Sequence, residues 1–137
     1  MMKLTVAATT VLLAAGMFTS VAQAAGDAAK GKTVFKKCAA CHSFDASQKK
    51  PGPTLAGLFG RKAGVVEGFK YSKDMVAAGE AGLVWSEQSF VDYMADPKGF
   101  VGTFIDKKKA ATRMAFSSLK KESQRDDLLA YMLEQAK

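Results

Sequence analysis

The chain has 137 residues, of which 48% are hydrophobic and 24% are charged, and these values are typical of one globular domain and exclude a largely disordered chain. The formal net charge is +7, which favours acidic partners but does not distinguish an acidic protein from nucleic acid or an anionic membrane surface.

The N-terminus has the pattern of an export signal. Lys3 gives the positive start, an apolar run covers residues 4–18, and Ala22-Gln23-Ala24 matches a small-residue cleavage site. A membrane anchor is the alternative, but a bilayer span needs about 20 apolar residues and this run is shorter. The sequence therefore predicts a cleaved signal peptide over residues 1–24, a single domain over residues 25–137 and a periplasmic location.

The first part of the domain is predicted to be one helix followed by a long loop. Asp27 can cap a helix over about residues 28–38. Residues 43–68 are rich in glycine and proline, so this stretch is expected to lack regular structure.

The second part of the domain is predicted to be helical with one irregular interruption. A short helix over residues 72–78 is expected to stop at Gly79. A helix over residues 87–95 follows and is expected to end at Asp96-Pro97, and an irregular lysine-rich stretch then runs to Thr112. The last helix is expected over residues 121–136. Because no segment alternates like a half-buried strand, the predicted fold class is all-α.

Both cysteines and the only histidine of the chain lie within five consecutive residues, Cys38-Ala39-Ala40-Cys41-His42. This is the spacing of c-type haem attachment. Cys38 and Cys41 share one helical face, where two thiols can reach two vinyl groups, and the His42 ring can bind the iron. A thioredoxin-like pair needs a βαβ context, a zinc site needs four ligands, and a structural Cys-x-x-Cys by chance leaves the adjacent histidine unexplained. The motif therefore predicts one covalently bound haem c.

The second iron ligand is less constrained. No other histidine remains, so it is a methionine, a lysine, a tyrosine, a terminal amine or water, or the position is open. Met94 and Met132 lie in predicted helices, where packing in the core is the more common role, and Met75 lies in the short helix. Met114 follows the irregular stretch, whose backbone can bring a side chain against the iron. Spacing alone favours Met114 without excluding the others.

Further motifs surround the Cys-x-x-Cys-His in a defined order. They are Gly26-Asp27, Lys30-Gly31, Phe35, Gly52-Pro53-x-Leu55-x-Gly57, Gly60-Arg61, Tyr71-Ser72, Trp85, Tyr93, Pro97, Thr112-Arg113-Met114-Ala115-Phe116 and Arg125-x-Asp127-Leu128-Leu129-Ala130-Tyr131. Because these motifs occur in this order, the chain resembles class I cytochromes c, in particular the bacterial cytochrome c2 type, over nearly all of residues 25–137.

The resemblance implies a class I cytochrome c fold, with three to five helices wrapped around one covalently bound haem. It implies that Met114 is the second iron ligand. It also implies that Gly31 and Phe35 in the first helix pack against Leu128 and Tyr131 in the last, where glycine permits a close backbone approach.

The same resemblance implies roles for the residues around the iron ligands. The carbonyl of Pro53 would accept the Nδ1–H of His42, and Tyr93 would lie near the sulfur of Met114. Core packing is the alternative role for each aromatic residue. The residues implied to hydrogen-bond a buried haem propionate are Arg61, Tyr71, Ser72 and Trp85.

The chain departs from the usual family pattern in the segment that leads to Met114. The distance from Pro97 to Met114 is longer than in compact members, as in long-loop members of the cytochrome c2 type. Ala110 and Ala111 stand where a proline usually precedes the Thr-x-Met. The path of this segment is therefore open. Met75 stands near a position where the family often has an asparagine, and no role is carried over to it.

The implied function is single-electron transport rather than catalysis. Histidine and methionine would fill both axial positions of the iron, and catalytic metal sites keep one position open. Methionine is a soft ligand that raises the reduction potential. Two alternatives stay open: a haem enzyme or ligand-binding sensor in which Met114 is labile, and a dedicated haem subunit of one dehydrogenase.

Lysines near the haem motif and in the later loop predict a basic docking ring for acidic partners, although each lysine could simply be solvated. The candidates are Lys36, Lys37, Lys50, Lys98, Lys107, Lys108 and Lys109. By resemblance, the donor would be a quinol–cytochrome c oxidoreductase, and the acceptor a terminal oxidase, a peroxidase or a photosynthetic reaction centre. A monomer is expected, with no nucleic-acid partner and no stable membrane insertion after cleavage of the signal.

Overall fold

A computed structural model describes residues 26–137, so the predicted signal peptide over residues 1–24 and the start of the predicted domain lie outside the described part. Within residues 26–137 the chain forms five helices, and the only strand-like pairing there is an isolated bridge between Lys62 and Val84. The predicted all-α class is confirmed. None of these five helices combines the length and the apolarity that crossing a membrane requires. The helices are α1 (Ala28–Phe35), α2 (Lys73–Glu80), α3 (Glu87–Ala95), α4 (Pro97–Phe104) and α5 (Glu122–Gln135).

Helix α1 is shorter than predicted. The Asp27 carboxylate caps it as expected, accepting the N–H groups of Ala29 and Lys30 at 2.9 and 3.2 Å. The helix ends at Phe35 rather than at Cys38, because the following N–H groups bond three residues back, as Cys38 does to the Phe35 carbonyl at 2.8 Å. The haem motif therefore lies on a series of turns after the helix.

The predicted end of α2 at Gly79 is wrong. Gly79 lies inside the helix, where it packs against the backbone of Ala63 so closely that a Cβ atom would overlap the Ala63 carbonyl. The helix ends instead at Glu80, and the chain reverses at Gly82, whose φ of +106° suits glycine. A glycine at a close contact and a glycine at a helix end cannot be distinguished from the sequence.

The predicted irregular stretch after α3 is wrong in its first half. Helix α3 has the predicted bounds, with Ser86 and Ser89 forming a reciprocal cap. Asp96 then caps a further helix, α4, by accepting the Gly99 N–H at 3.1 Å. Pro97 occupies the first position of α4, where its missing N–H costs nothing because that N–H would have no helical partner. Asp96-Pro97 thus ends one helix and begins the next.

The first and last helices pack closely against each other, as the resemblance to class I cytochromes c implies. Gly31 of α1 lies against the Asp127 carbonyl of α5, so that a Cβ atom would overlap it. The Phe35 and Tyr131 rings lie 5.5 Å apart between centroids. From α5, the Leu128 side chain is 1% exposed. This packing supports the turns that carry the haem motif.

Candidate cofactor site

All the site residues expected from the sequence and from the family resemblance line one cavity. Its walls come from the end of α1 and the turns after it, the long loop, the start of α2, helix α3, the segment before α5 and α5 itself. The predicted residues that line it are Cys38, Cys41, His42, Pro53, Arg61, Tyr71, Ser72, Trp85, Tyr93 and Met114.

Two backbone hydrogen bonds hold the haem motif in shape. The N–H groups of Cys41 and His42 both donate to the Cys38 carbonyl, at 3.0 and 2.9 Å. Cys38 is half-buried and Cys41 is exposed, and no disulfide joins them. Burial raises the pKa of Cys38 above its ordinary value, against the opposing charge of Lys37, so this side chain is an uncharged thiol at neutral pH.

The His42 ring is oriented by the loop that passes beside it. Its Nδ1 lies 2.8 Å from the Pro53 carbonyl oxygen. Because a carbonyl oxygen can only accept, Nδ1 carries the proton and Nε2 has the free lone pair that binds a metal. Burial lowers the pKa of His42, although the bond to Pro53 opposes this, so the ring is held neutral.

Gly52 belongs to the Gly52-Pro53 motif, and the structure gives it a role at the site that the sequence did not predict. Its N–H donates to the Cys41 carbonyl at 2.8 Å. A Cβ atom at this position would lie 2.7 Å from both that carbonyl oxygen and Cε1 of His42, which is closer than packed atoms approach. Glycine is therefore required for the loop to lie against the His42 ring. The signal was present in the pair Gly52-Pro53, where the glycine directly precedes the carbonyl that orients His42.

Met114 is held from its backbone and at its sulfur. Its N–H donates to Thr112 Oγ1 at 3.1 Å, and the Tyr93 hydroxyl donates to its Sδ at 3.4 Å. Tyr93 is 7% exposed, and burial raises its pKa to about 12, so its hydroxyl keeps its proton and can donate. The Trp85 ring meets the Tyr93 ring edge-on at 5.0 Å. Tyr93 therefore lies near the Met114 sulfur, at the place that the resemblance implies.

The polar residues of the cavity favour a ligand that carries negative charge. Among the described residues that line it, Lys37, Arg61 and Arg113 are cations and none is a carboxylate. Arg61 is held in place because its Nη1 and Nη2 donate to the carbonyls of Ala56 and Thr54 at 2.8 and 2.9 Å. An apolar cavity with cations at its wall fits a haem, whose macrocycle is apolar and whose propionates are anionic.

Tyr71 and Ser72 add two hydroxyl groups to the same wall. Burial raises the pKa of Tyr71, although the Arg61 charge opposes this, so the phenol stays protonated. The Ser72 oxygen accepts the Met75 N–H at 3.2 Å as the cap of α2, which leaves its own proton free to donate. Both groups can therefore hydrogen-bond a carboxylate.

Several buried apolar residues also line the cavity, among them Met94 and Met132, for which the sequence favours a role in the protein core. Met94 and Met132 are 4% and 1% exposed and would face the cofactor as well as the protein. Apolar side chains at helical spacing predict burial, but they do not indicate whether a cofactor or a neighbouring helix covers them. The residues in question are Leu58, Met75, Phe90, Met94, Leu128 and Met132.

The predicted docking lysines divide into two groups. Lys107 pairs with the Asp74 carboxylate at 2.7 Å, and Lys50 donates to the Ala39 carbonyl at 2.5 Å, so these two are engaged within the protein. Lys37 is exposed and also lines the cavity, which places a positive charge at its edge. The other exposed candidates are Lys36, Lys98, Lys108 and Lys109.

Comparison with known proteins gives one consistent family. Residues 28–136 match the model of the Cytochrome c family. A cytochrome c2 of Rhodopseudomonas palustris is 48% identical over 112 residues, which is 77% of this chain and 96% of that protein. A cytochrome c2 of Rhodobacter capsulatus is 40% identical over 141 residues, which is 96% of each chain. The structure of cytochrome c2 from Rhodospirillum centenum has a TM-score of 0.74 and 39% identity, covering 82% of this chain and 100% of that chain.

Proposed function

Since the chain belongs to the cytochrome c family, we propose that Cys38 and Cys41 bind a haem covalently and that His42 and Met114 bind its iron. Its cytochrome c2 relatives are electron carriers with a covalently attached haem c, and this chain is a carrier of the same kind. When bound, the haem supplies a one-electron couple between ferric and ferrous iron.

The observation that carries this proposal is that two ligand-bearing segments reach one cavity, each with its own supporting group. The Pro53 carbonyl directs Nε2 of His42 away from the loop, and the Tyr93 hydroxyl holds the Met114 sulfur. Both side chains are uncharged ligands whose positions are fixed by the protein. Little rearrangement is then needed when the iron changes its charge, which suits a carrier.

We also propose that the chain has no enzymatic activity of its own. With His42 and Met114 as ligands, the iron would have no open position for a substrate. The apolar lining of the cavity excludes water from the cofactor and, together with the soft methionine ligand, favours the ferrous state.

The proposed setting is the periplasm, where the carrier would move electrons between membrane redox complexes. The N-terminal pattern of residues 1–24 supports export. The net charge of +7 and the exposed Lys37 beside the cavity support docking to acidic surfaces. We propose a quinol–cytochrome c oxidoreductase as donor, a terminal oxidase, a peroxidase or a photosynthetic reaction centre as acceptor, and a monomeric carrier.

The test is the visible absorption spectrum of the purified holoprotein, recorded oxidised, reduced, and reduced under carbon monoxide. We expect a low-spin spectrum with a methionine–iron charge-transfer band and no change under carbon monoxide. The band should be lost in Met114→Leu and kept in Met75→Leu, a matched control because Met75 also lines the cavity. A high-spin spectrum, or prompt binding of carbon monoxide, would instead support a haem enzyme or sensor.

A further inference from the structure

The segment that leads to Met114 is held by backbone N–H groups that a proline would lack. Ala110 and Ala111 stand where the family usually has a proline before the Thr-x-Met. The Ala110 N–H donates to the Lys98 carbonyl of α4 at 2.9 Å. The Ala111 N–H donates to Oδ2 of Asp74 in α2 at 2.6 Å. Since proline has no N–H, a proline at either position could not make its bond.

Asp74 uses both carboxylate oxygens on this one segment. Oδ2 accepts the Ala111 N–H, and Oδ1 accepts Lys107 Nζ at 2.7 Å. Asp74 is 9% exposed, whereas the Lys107 side chain that pairs with it is 53% exposed. A buried carboxylate is stable only when it is hydrogen-bonded, and here all the hydrogen bonds found for it come from residues 107–111.

The same segment is pressed against α4. The Lys107 N–H donates to the Gly102 carbonyl at 3.0 Å, and Gly102 is buried. A Cβ atom at Gly102 would overlap the Lys107 carbonyl, so glycine permits this contact. Asp74 on one side and α4 on the other therefore fix the segment between two helices.

A short series of contacts connects the Asp74–Ala111 hydrogen bond to Met114, the proposed iron ligand. Thr112 follows Ala111 directly, and its Oγ1 accepts the Met114 N–H at 3.1 Å. Tyr93 then donates to the Met114 sulfur at 3.4 Å. Release of the Ala111 N–H would free the backbone three residues before the sulfur.

We propose that Asp74 is a positioning residue for Met114, which holds the 107–111 segment against α2 and α4 in place of the missing proline and so keeps Met114 at the cavity wall. This inference rests on the proposed function, because it takes Met114 to be an iron ligand. An external ligand such as imidazole can reach the iron only while the segment is open. Its apparent affinity for the ferric holoprotein therefore reports the open fraction, which Asp74 keeps small.

The two bonds of Asp74 are not equal. The Lys107 side chain is 53% exposed, so solvent screens its ion pair, whereas the Ala111 bond joins a backbone group to a buried carboxylate. We expect Asp74→Ala to increase the affinity for imidazole by about tenfold or more. Lys107→Ala should change it by no more than about threefold. The imidazole affinity of Asp74→Asn should be close to that of Lys107→Ala, because the side-chain amide oxygen of this variant can still accept the Ala111 N–H.

The control separates positioning from general loss of stability. Val34→Ala removes buried apolar volume from α1, and Val34 does not line the cavity. This variant should unfold more easily while its imidazole affinity stays that of the wild type. An unchanged affinity in Asp74→Ala, or an equal increase in Val34→Ala, would overturn the inference. If the wild type itself lacks the methionine–iron band, the proposed function fails instead.

Hydrogen exchange of the native holoprotein keeps the inference testable if Asp74→Ala yields no folded protein. The Ala111 and Met114 amides should be protected, and they should exchange with the same opening free energy, because one opening releases both. Rapid exchange at Ala111 beside a protected Met114 would show that the Asp74 bond does not hold the segment, and the inference would be wrong.

Discussion

The hydroxyl of Tyr93 lies 3.4 Å from the sulfur of Met114 and donates a hydrogen bond to it. Burial raises the pKa of Tyr93 to about 12, so this donor keeps its proton at any pH at which the protein functions. The Trp85 ring packs edge-on against the Tyr93 ring, with 5.0 Å between their centroids. The sulfur is therefore held by a side chain from α3, in addition to the backbone of its own segment.

Tyr93→Phe should loosen Met114 without displacing it. A neutral hydrogen bond contributes about 1 kcal/mol net, so the imidazole affinity of the ferric holoprotein should increase by about fivefold. The methionine–iron band should remain. The measurement is an absorption titration with imidazole at constant pH.

Tyr131→Phe is the matched control for this change. Tyr131 packs against the Phe35 and Phe44 rings at 5.5 and 5.8 Å and does not line the cavity. Removal of the Tyr131 hydroxyl should leave the imidazole affinity unchanged. Equal increases in both variants would show that the Tyr93 hydroxyl does not act through the sulfur.

Gly52→Ala tests the packing of the loop against His42. The added Cβ would lie 2.7 Å from Cε1 of His42 and from the Cys41 carbonyl oxygen, so either the ring or the loop must shift. Overpacking of this kind costs about 1–3 kcal/mol of stability. The shift should also weaken the His42–Pro53 bond and so change the absorption spectrum and the reduction potential of the holoprotein.

Gly68→Ala provides the comparison for Gly52→Ala. Gly68 has a φ of +75°, and nothing lies within 4 Å of a Cβ atom there. Its substitution should cost about 1–2 kcal/mol through backbone strain and leave the spectrum unchanged. A Gly52→Ala protein with the wild-type spectrum and potential would show that the ring does not depend on this glycine.

Sequence patterns predicted the features that depend on neighbouring residues. The Asp27 cap and the bounds of α3 follow from residues a few positions apart. The bond between Asp74 and Ala111 joins residues 37 positions apart, and neither residue has an unusual neighbour that would reveal it. Helix α4 was missed because Pro97 at a first helical position and a proline that ends a helix have the same local sequence. The cavity walls were only partly predictable for the same reason, since burial by a cofactor and burial by protein select the same side chains.

Gly31→Ala should destabilise the protein, although the same change inside an ordinary helix stabilises by about 0.5–1 kcal/mol. The new Cβ would overlap the Asp127 carbonyl and lie 2.8 Å from Cβ of Tyr131. Helices α1 and α5 would have to separate, at a cost of about 1–3 kcal/mol. Chemical unfolding of the holoprotein measures the change. Thr33→Ala, at an exposed position of the same helix, should be neutral or slightly stabilising. A Gly31→Ala protein as stable as Thr33→Ala would contradict the close packing of α1 against α5.

Asp74 should also make the stability of the protein depend on pH in the acid range. The hydrogen bond from Lys107, and then that from Ala111, holds the pKa of Asp74 below its ordinary value of 3.8. The folded state therefore favours the carboxylate more than the unfolded state does. Its stabilising contribution is complete well above this ordinary value, which the unfolded state has, and is lost as the pH falls through the lower folded pKa.

The measurement is the difference in unfolding free energy between wild type and Asp74→Asn, obtained by chemical unfolding of the two holoproteins over a series of pH values. Because acid also titrates groups common to both proteins, only the difference isolates Asp74. It should be constant from about pH 7 to pH 5 and shrink below about pH 4, where the wild-type carboxylate gains its proton. Asp92→Asn, which removes an exposed carboxylate from α3, is the control for the change in net charge. A difference that stays constant down to the lowest pH at which the wild type folds would mean that the Asp74 carboxylate is not what holds residues 107–111 against α2.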